Sequence, residues 1–132
     1  MKKYGLPARN IIKKKKDFEL FFSSGKFVPS ANKKIKAIFL VEVNDETPGI
    51  KIAAAVSKKQ GNAVWRNKFK RLVKESYRLN KEILTGTCLE KKLLLNIIFS
   101  PFSLNQKNNK KIYLDDVRSD MVEILTKIKS RL

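Results

Sequence analysis

SKKQGNAVWRNKFKRLVKESYR, residues 57–78, is the stretch on which the reading of this chain turns. Laid on a helix from Asn62 and advanced by about 100° per residue, it sorts its side chains cleanly. Trp65, Phe69, Leu72, Val73 and Ser76 fall on one face. Asn67, Lys70, Arg71, Lys74 and Arg78 fall on the opposite one, with Arg66 and Lys68 at the margins. Six cations thus stand between Arg66 and Arg78 against one carboxylate, Glu75. A helix coated for solubility alternates its signs to gain pairs three and four residues apart. Here the repulsion is left standing, and a docked polyanion would relieve it. Arginine offers a planar fork to phosphate oxygens, lysine a point charge and asparagine a neutral donor and acceptor. Lys58, Lys59 and Gly61 add cations and a sharp entry, turning first-turn amides toward an anion.

A basic run on a helix is ordinarily a solvated face, so the rest of the chain has to decide. Its 132 residues suffice for one domain and carry 30 Lys+Arg against 12 Asp+Glu, a net charge of +18. Solubility alone asks for far less. Hydrophobic residues make up 42%, so the chain buries a core beneath a cationic coat rather than forming a disordered tail. There is no histidine, which removes the commonest general base and metal ligand. The single cysteine, Cys88, allows no internal disulfide and is expected as a small buried hydrophobe in a reducing cytoplasm. No apolar run approaches the roughly 20 residues of a membrane span, and no segment reads as an export signal.

Working outward, residues 1–12 read as an extended lead-in, followed by four lysines at 13–16. Asp17 opens a short helix carrying Phe18, Leu20, Phe21 and Phe22 and stopped near Gly25. Strand-like segments lie at 35–43, 50–57 and 93–99, with room for a further strand near 26–30. The turn residues at 44–49, including Pro48 and Gly49, predict a hairpin between the first two of these strands. The long helix is expected over 62–84 with Gly86 marking its end, and residues 103–111 as a polar loop. A last helix over 115–132 has apolar residues at helical spacing, Asp115 and Asp116 at its start and Lys127, Lys129 and Arg131 at its end. The result is an α+β two-layer sandwich without repeats.

The aromatic set Phe18, Phe21 and Phe22 belongs by default to the core, yet stacking on unpaired bases uses rings beside cations such as those at 13–16. Trp65 is expected in the core. No phosphate loop, dinucleotide fingerprint or nucleophile elbow is present, so no catalytic residue and no protein-held metal is assigned. On the residues alone this is a nucleic-acid binder, RNA being favoured because no dimeric recognition helix or zinc module is visible.

Residues 57–75 resemble the signature of the bacterial ribonuclease P protein component, an R-N-R-x-K-R-x-x-R-E pattern preceded by S-K-K-x-G-x-A-V. Asp17-Phe18, Phe22 and Gly25 are similar to that family's D-F-x-x-x-F-x-x-G. Lys68 and Lys74 stand where the family usually has arginine, keeping charge but losing the bidentate fork. The aromatic that the family places on a strand facing a cleft has no direct match, Phe39 or Ile38 standing nearest. The resemblance implies an α-β-β-β-α-β-α order, a mostly antiparallel central sheet and a left-handed βαβ crossover, against the usual rule. It implies partnership with a catalytic RNA subunit that removes the 5′ leader of precursor tRNA in the cytoplasm, with magnesium held mainly by RNA. Carried over, Lys58, Lys59, Asn62, Arg66, Asn67, Lys68, Lys70, Arg71 and Lys74 would face RNA. Phe18 and Phe22, with Lys14 and Lys16, would line a cleft for the leader. The rival classes are a structural RNA-binding protein of ribosomal type, an amphipathic protein on anionic lipid, and a protein-only nuclease, which would need carboxylates clustered in space.

Overall fold

The computed structural model describes residues 25–132. The expected helix opened by Asp17 therefore lies outside the described residues. The elements run β1 (Lys26–Pro29), β2 (Ile35–Val43), β3 (Gly49–Ala54), α1 (Ala63–Asn80), α2 (Glu82–Glu90), β4 (Leu93–Pro101) and α3 (Leu114–Ser130). They form an α+β sandwich: one four-stranded mixed sheet in the order β1-β2-β4-β3, with helices packed on one face.

Strand periodicity explains the packing. In β2, Ile35, Ala37 and Phe39 are buried while Lys36, Ile38 and Leu40 alternate to the other face. The buried set meets Ile50 and Ile52 of β3, Leu95, Ile97 and Phe99 of β4, Trp65, Phe69 and Val73 of α1, and Val117, Met121 and Ile124 of α3 in one core. Trp65 and Cys88 are buried there, as their types predict.

Two expectations fail. β2 and β3 do not pair as a hairpin; β4 lies between them, antiparallel to β2 and parallel to β3. The reason lies in β4 itself. Its Leu95, Ile97 and Phe99 are buried on one face and Ile98 on the other, as suits a central strand whose two edges both find partners. The turn after β2 forms, but Asn44 donates its amide to the Lys92 carbonyl (2.8 Å) while its Oδ1 accepts from the Glu46 and Thr47 amides. The chain is thereby bent across the end of β4 and set down on its far side. Gly49 sits there at φ +152°, a conformation open to glycine.

The long helix also stops early, at Asn80, and Gly86 lies inside α2 rather than beyond a helix end. At the boundary Asn80 Nδ2 donates to the Ser76 carbonyl (2.8 Å), and the Lys81 carbonyl starts a new turn by accepting from the Leu84 and Thr85 amides. Together α1 and α2 form the crossover joining parallel β3 and β4.

Candidate nucleic-acid interface

The entry to α1 is built by side chains that bond their own backbone. Asn62 caps the helix, its Oδ1 accepting from the Trp65 amide (2.9 Å). A Cβ on Gly61 would come within 2.8 Å of Trp65 Cε3, so glycine is what lets the indole fold under the loop. Trp65 stacks on Phe69 with ring centroids 6.1 Å apart and donates Nε1–H to the Asn109 carbonyl (2.8 Å). Gln60 Nε2 donates to the Pro101 carbonyl (2.9 Å), and its Oε1 accepts from the Ser57 amide (3.1 Å). Gln106 completes the frame: its amide donates to the Gln60 carbonyl (2.7 Å) and its Oε1 accepts from the Asn62 amide (2.8 Å).

On this frame the basic residues stand where the helical spacing places them. Lys58, Lys59, Asn62, Asn67, Arg71 and Lys74 are exposed, and Arg66, Lys68 and Lys70 are half-buried. The first turn of α1 holds no acidic residue. Between described residues two ion pairs form, Arg78–Glu75 and Lys127–Glu123. The Arg78 hydrogen bond holds the Glu75 carboxyl below the usual carboxylate range and raises Arg78 in turn. The one carboxylate of the helix is thus committed to its last cation. Arg66, Lys68, Lys70, Arg71 and Lys74 form no ion pair among the described residues. Lys68 Nζ lies over the Tyr113 ring, 5.6 Å from its centroid.

An open cleft of about 560 Å³ lies between the loop before α1 and the 102–113 connection, lined by Lys58, Lys59, Gln60, Gly61, Asn62, Gln106, Lys107 and Lys110. Sequence reasoning treated 103–111 only as a polar loop and missed Lys107 and Lys110. Their signal was the lysine content of a segment whose position beside residues 58–62 appears only when Gln106 is seen to tie it there. A larger hollow of about 640 Å³ at the other end of α1 is lined by Tyr77, Lys81, Leu89 and Leu94 among others. Burial pushes the Tyr77 hydroxyl well above its ordinary value, so it stays neutral. That hollow lies away from the cationic face.

The other face of the sheet forms a second surface. Ile38, Ala53 and Ile98 belong to a separate small apolar cluster there, joined by Leu40 and Ala55. The register makes a cross-strand row: Phe27 pairs with Ile38, Ile38 with Ile98, and Ile98 with Ala53. Lys36 and Lys51 flank it on the same face by strand alternation. Of the two candidates for a strand aromatic, Phe39 is fully buried among the helices and Ile38 lies on this second face. Phe18, Phe22, Lys14 and Lys16 lie outside the described residues.

The profile of the family described as Ribonuclease P matches residues 6–128. The ribonuclease P protein component of Desulforapulum autotrophicum is 31% identical over 126 residues, covering 91% of this chain and 99% of that protein. That of Clostridium botulinum is 32% identical over 120 residues, covering 89% and 93%. The match to the Alkaliphilus metalliredigens protein reaches 37% but spans 76 residues, 58% of this chain and 64% of that one. Among solved structures, the Staphylococcus aureus RNase P protein superposes with a TM-score of 0.67 at 26% identity, covering 91% of this chain and 95% of that chain. The Thermotoga maritima RNase P protein shares the fold, with a TM-score of 0.68 at 23% identity, covering 88% and 94%. A family-wide match of this extent, with the same sandwich beneath it and the signature residues on its basic helix, settles the assignment: the chain belongs to the ribonuclease P protein component family.

Proposed function

We propose that this chain is the protein subunit of ribonuclease P in tRNA processing, presenting the α1 face to the catalytic RNA subunit and a separate surface to the 5′ leader of precursor tRNA. The observation that carries this is the outward face of α1. Five cations without ion-pair partners among the described residues, above a first turn without acid, are costly in a free protein and complementary to phosphate. On this reading the chemistry belongs to the RNA subunit, and the protein lowers phosphate repulsion and holds the leader. Its place of action is the cytoplasm; no described helix is long and apolar enough to cross a membrane.

Magnesium enters as a partner of the RNA. The described residues bring no three carboxylate or thiol side chains together as a cage for a divalent ion, so no step is assigned to a metal held by this chain. A structural RNA-binding protein of the ribosomal type is not favoured, since family membership points to tRNA processing. The test is cleavage of a precursor tRNA at low magnesium by the cognate RNA subunit with wild-type protein or an Arg66→Ala/Lys70→Ala variant. Strong rescue by the wild type and at least about tenfold weaker rescue by the folded variant are expected. Absence of rescue by folded wild-type protein would overturn the assignment.

A further inference from the structure

The larger hollow, about 640 Å³, lies between the turn that enters β3 and the junction of α1 with α2, at the far end of α1 from the cationic cleft. Its volume and its lining, apolar walls with a few polar groups, are those of a small-molecule site. Ile50, Leu94 and the Tyr77 ring supply the walls, and Leu89, 54% exposed, leaves apolar surface open to solvent beside them. Tyr77 is 2% exposed, yet no hydrogen bond reaches its hydroxyl among the described residues. A buried polar ring ordinarily finds a partner, as Trp65 does when it gives its Nε1–H to the Asn109 carbonyl. Tyr77 lines the hollow instead, where a bound acceptor would supply the missing partner. Two ammonium groups, Lys51 and Lys81, line the same hollow against one carboxylate, Glu46.

We infer that this hollow is a binding site for a small organic acid, its carboxylate accepting from the Tyr77 hydroxyl and facing Lys51 and Lys81, its apolar body lying on Ile50, Leu89 and Leu94. The inference is independent of the ribonuclease P reading and adds a ligand class that the RNA-facing helix does not take.

Three comparisons select this occupant. A wholly apolar molecule would cover the Tyr77 hydroxyl and leave it unpaired, which is costly in a site shut off from water. A ligand amine would meet two ammonium groups for one carboxylate. A bare inorganic anion would leave the apolar walls uncovered, and on a chain of net charge +18 it finds denser lysines at 58–59 and in the 107–110 segment. An acid with an apolar body meets all three demands at once. Burial keeps the Tyr77 phenol neutral, so its O–H remains available to donate.

The test titrates the isotope-labelled full chain with phenylacetate and follows its backbone amide signals by NMR, with inorganic phosphate and benzyl alcohol as parallel probes. Phenylacetate should give saturable shifts at Gly49, Lys51, Thr85 and Leu89. Inorganic phosphate should move the amides of residues 58–62 instead, and benzyl alcohol, which lacks the charge, should bind the hollow about tenfold more weakly than phenylacetate. Tyr77→Phe removes a hydroxyl that has no partner in the free protein, so it should keep the wild-type melting temperature while weakening phenylacetate by about tenfold. Lys81→Gln, at an exposed position, should weaken it by about threefold. Phenylacetate shifts confined to residues 58–62 and 106–110, shifts at the hollow that do not saturate, or equal affinity in Tyr77→Phe would each overturn the site.

Discussion

α1 and α3 pack side by side on the same core, yet their charges follow opposite rules. α3 starts with Asp115 and Asp116, ends with Lys127 and Lys129, and links Glu123 to Lys127 one turn apart. Each choice complements the helix dipole or a neighbour. α1 has no acid in its first turn, and five of its cations form no ion pair among the described residues. The apolar faces of the two helices obey one packing logic, so the contrast is confined to what faces outward. The outward charges of one helix are matched within the folded chain; those of the other are left unmatched among the described residues, the deficit that the proposed RNA partner would relieve.

The largest effect should come from breaking what the helices share. Phe69 is fully buried beneath α1, and Phe69→Ala should destabilise the protein by about 3–5 kcal/mol, read as a lower urea midpoint. RNA added to that variant should recover part of the loss through binding to the folded state, because the cationic face is untouched.

A smaller effect separates the two outward faces. Arg71→Ala/Lys74→Ala should weaken affinity for the RNA subunit by about tenfold and reduce the slope of log affinity against log salt by about 2. Lys127→Ala/Lys129→Ala should leave the affinity within about twofold, while costing a few tenths of a kcal/mol of stability. Equal slopes for both pairs would erase the comparison.

The smallest effect concerns the exception within α3. Asp120 is 3% exposed; its Oδ1 accepts from Asn32 Nδ2 (2.9 Å), and its Oδ2 has no hydrogen-bond partner among the described residues. Burial raises its pKa, opposed by the Asn32 hydrogen bond. The native state therefore holds more protons than the unfolded chain between the unfolded value, about 3.9, and the raised native one. Stability from this group rises as pH falls into that window and is lost as pH rises out of it. Asp120→Asn keeps the acceptor for Asn32 and removes the charge. It should be at least as stable as wild type near pH 7 and lack this gain on acidification into that window, as urea midpoints would show.

The sequence made the basic helix legible because helical spacing is local: Trp65 and Phe69 on one side and Arg71 and Lys74 on the other follow from counting. The segment 26–30 offered only room for a further strand, and Lys26–Pro29 takes it by pairing with β2. What was not legible depends on partners distant in the chain. Insertion of β4 between β2 and β3 turns on burial on both of its faces and on Asn44 reaching the Lys92 carbonyl, neither visible in a turn that otherwise reads as a hairpin. α1 ends at Asn80, in a stretch without glycine or proline, while Gly86 offered a more familiar stop signal. Lys107 and Lys110 became part of the basic cleft only through Gln106. Phe27 and Phe102 lie 75 positions apart and meet because Phe27 pairs with Ile38 and Phe102 follows the strand beside it.

The placement of β4 also bears on how the chain acquires its function during synthesis. β2 and β3 have finished before their common neighbour, beginning at Leu93, has been made. A nascent chain ending at Glu90 carries every residue of the basic helix but lacks the strand that joins the halves of the sheet. It also lacks Gln106 and Asn109, which fasten the loop and indole beneath that helix. Translation thus delivers the helix's cations early and their scaffold late, so the cationic surface matures only as the last third of the polypeptide emerges.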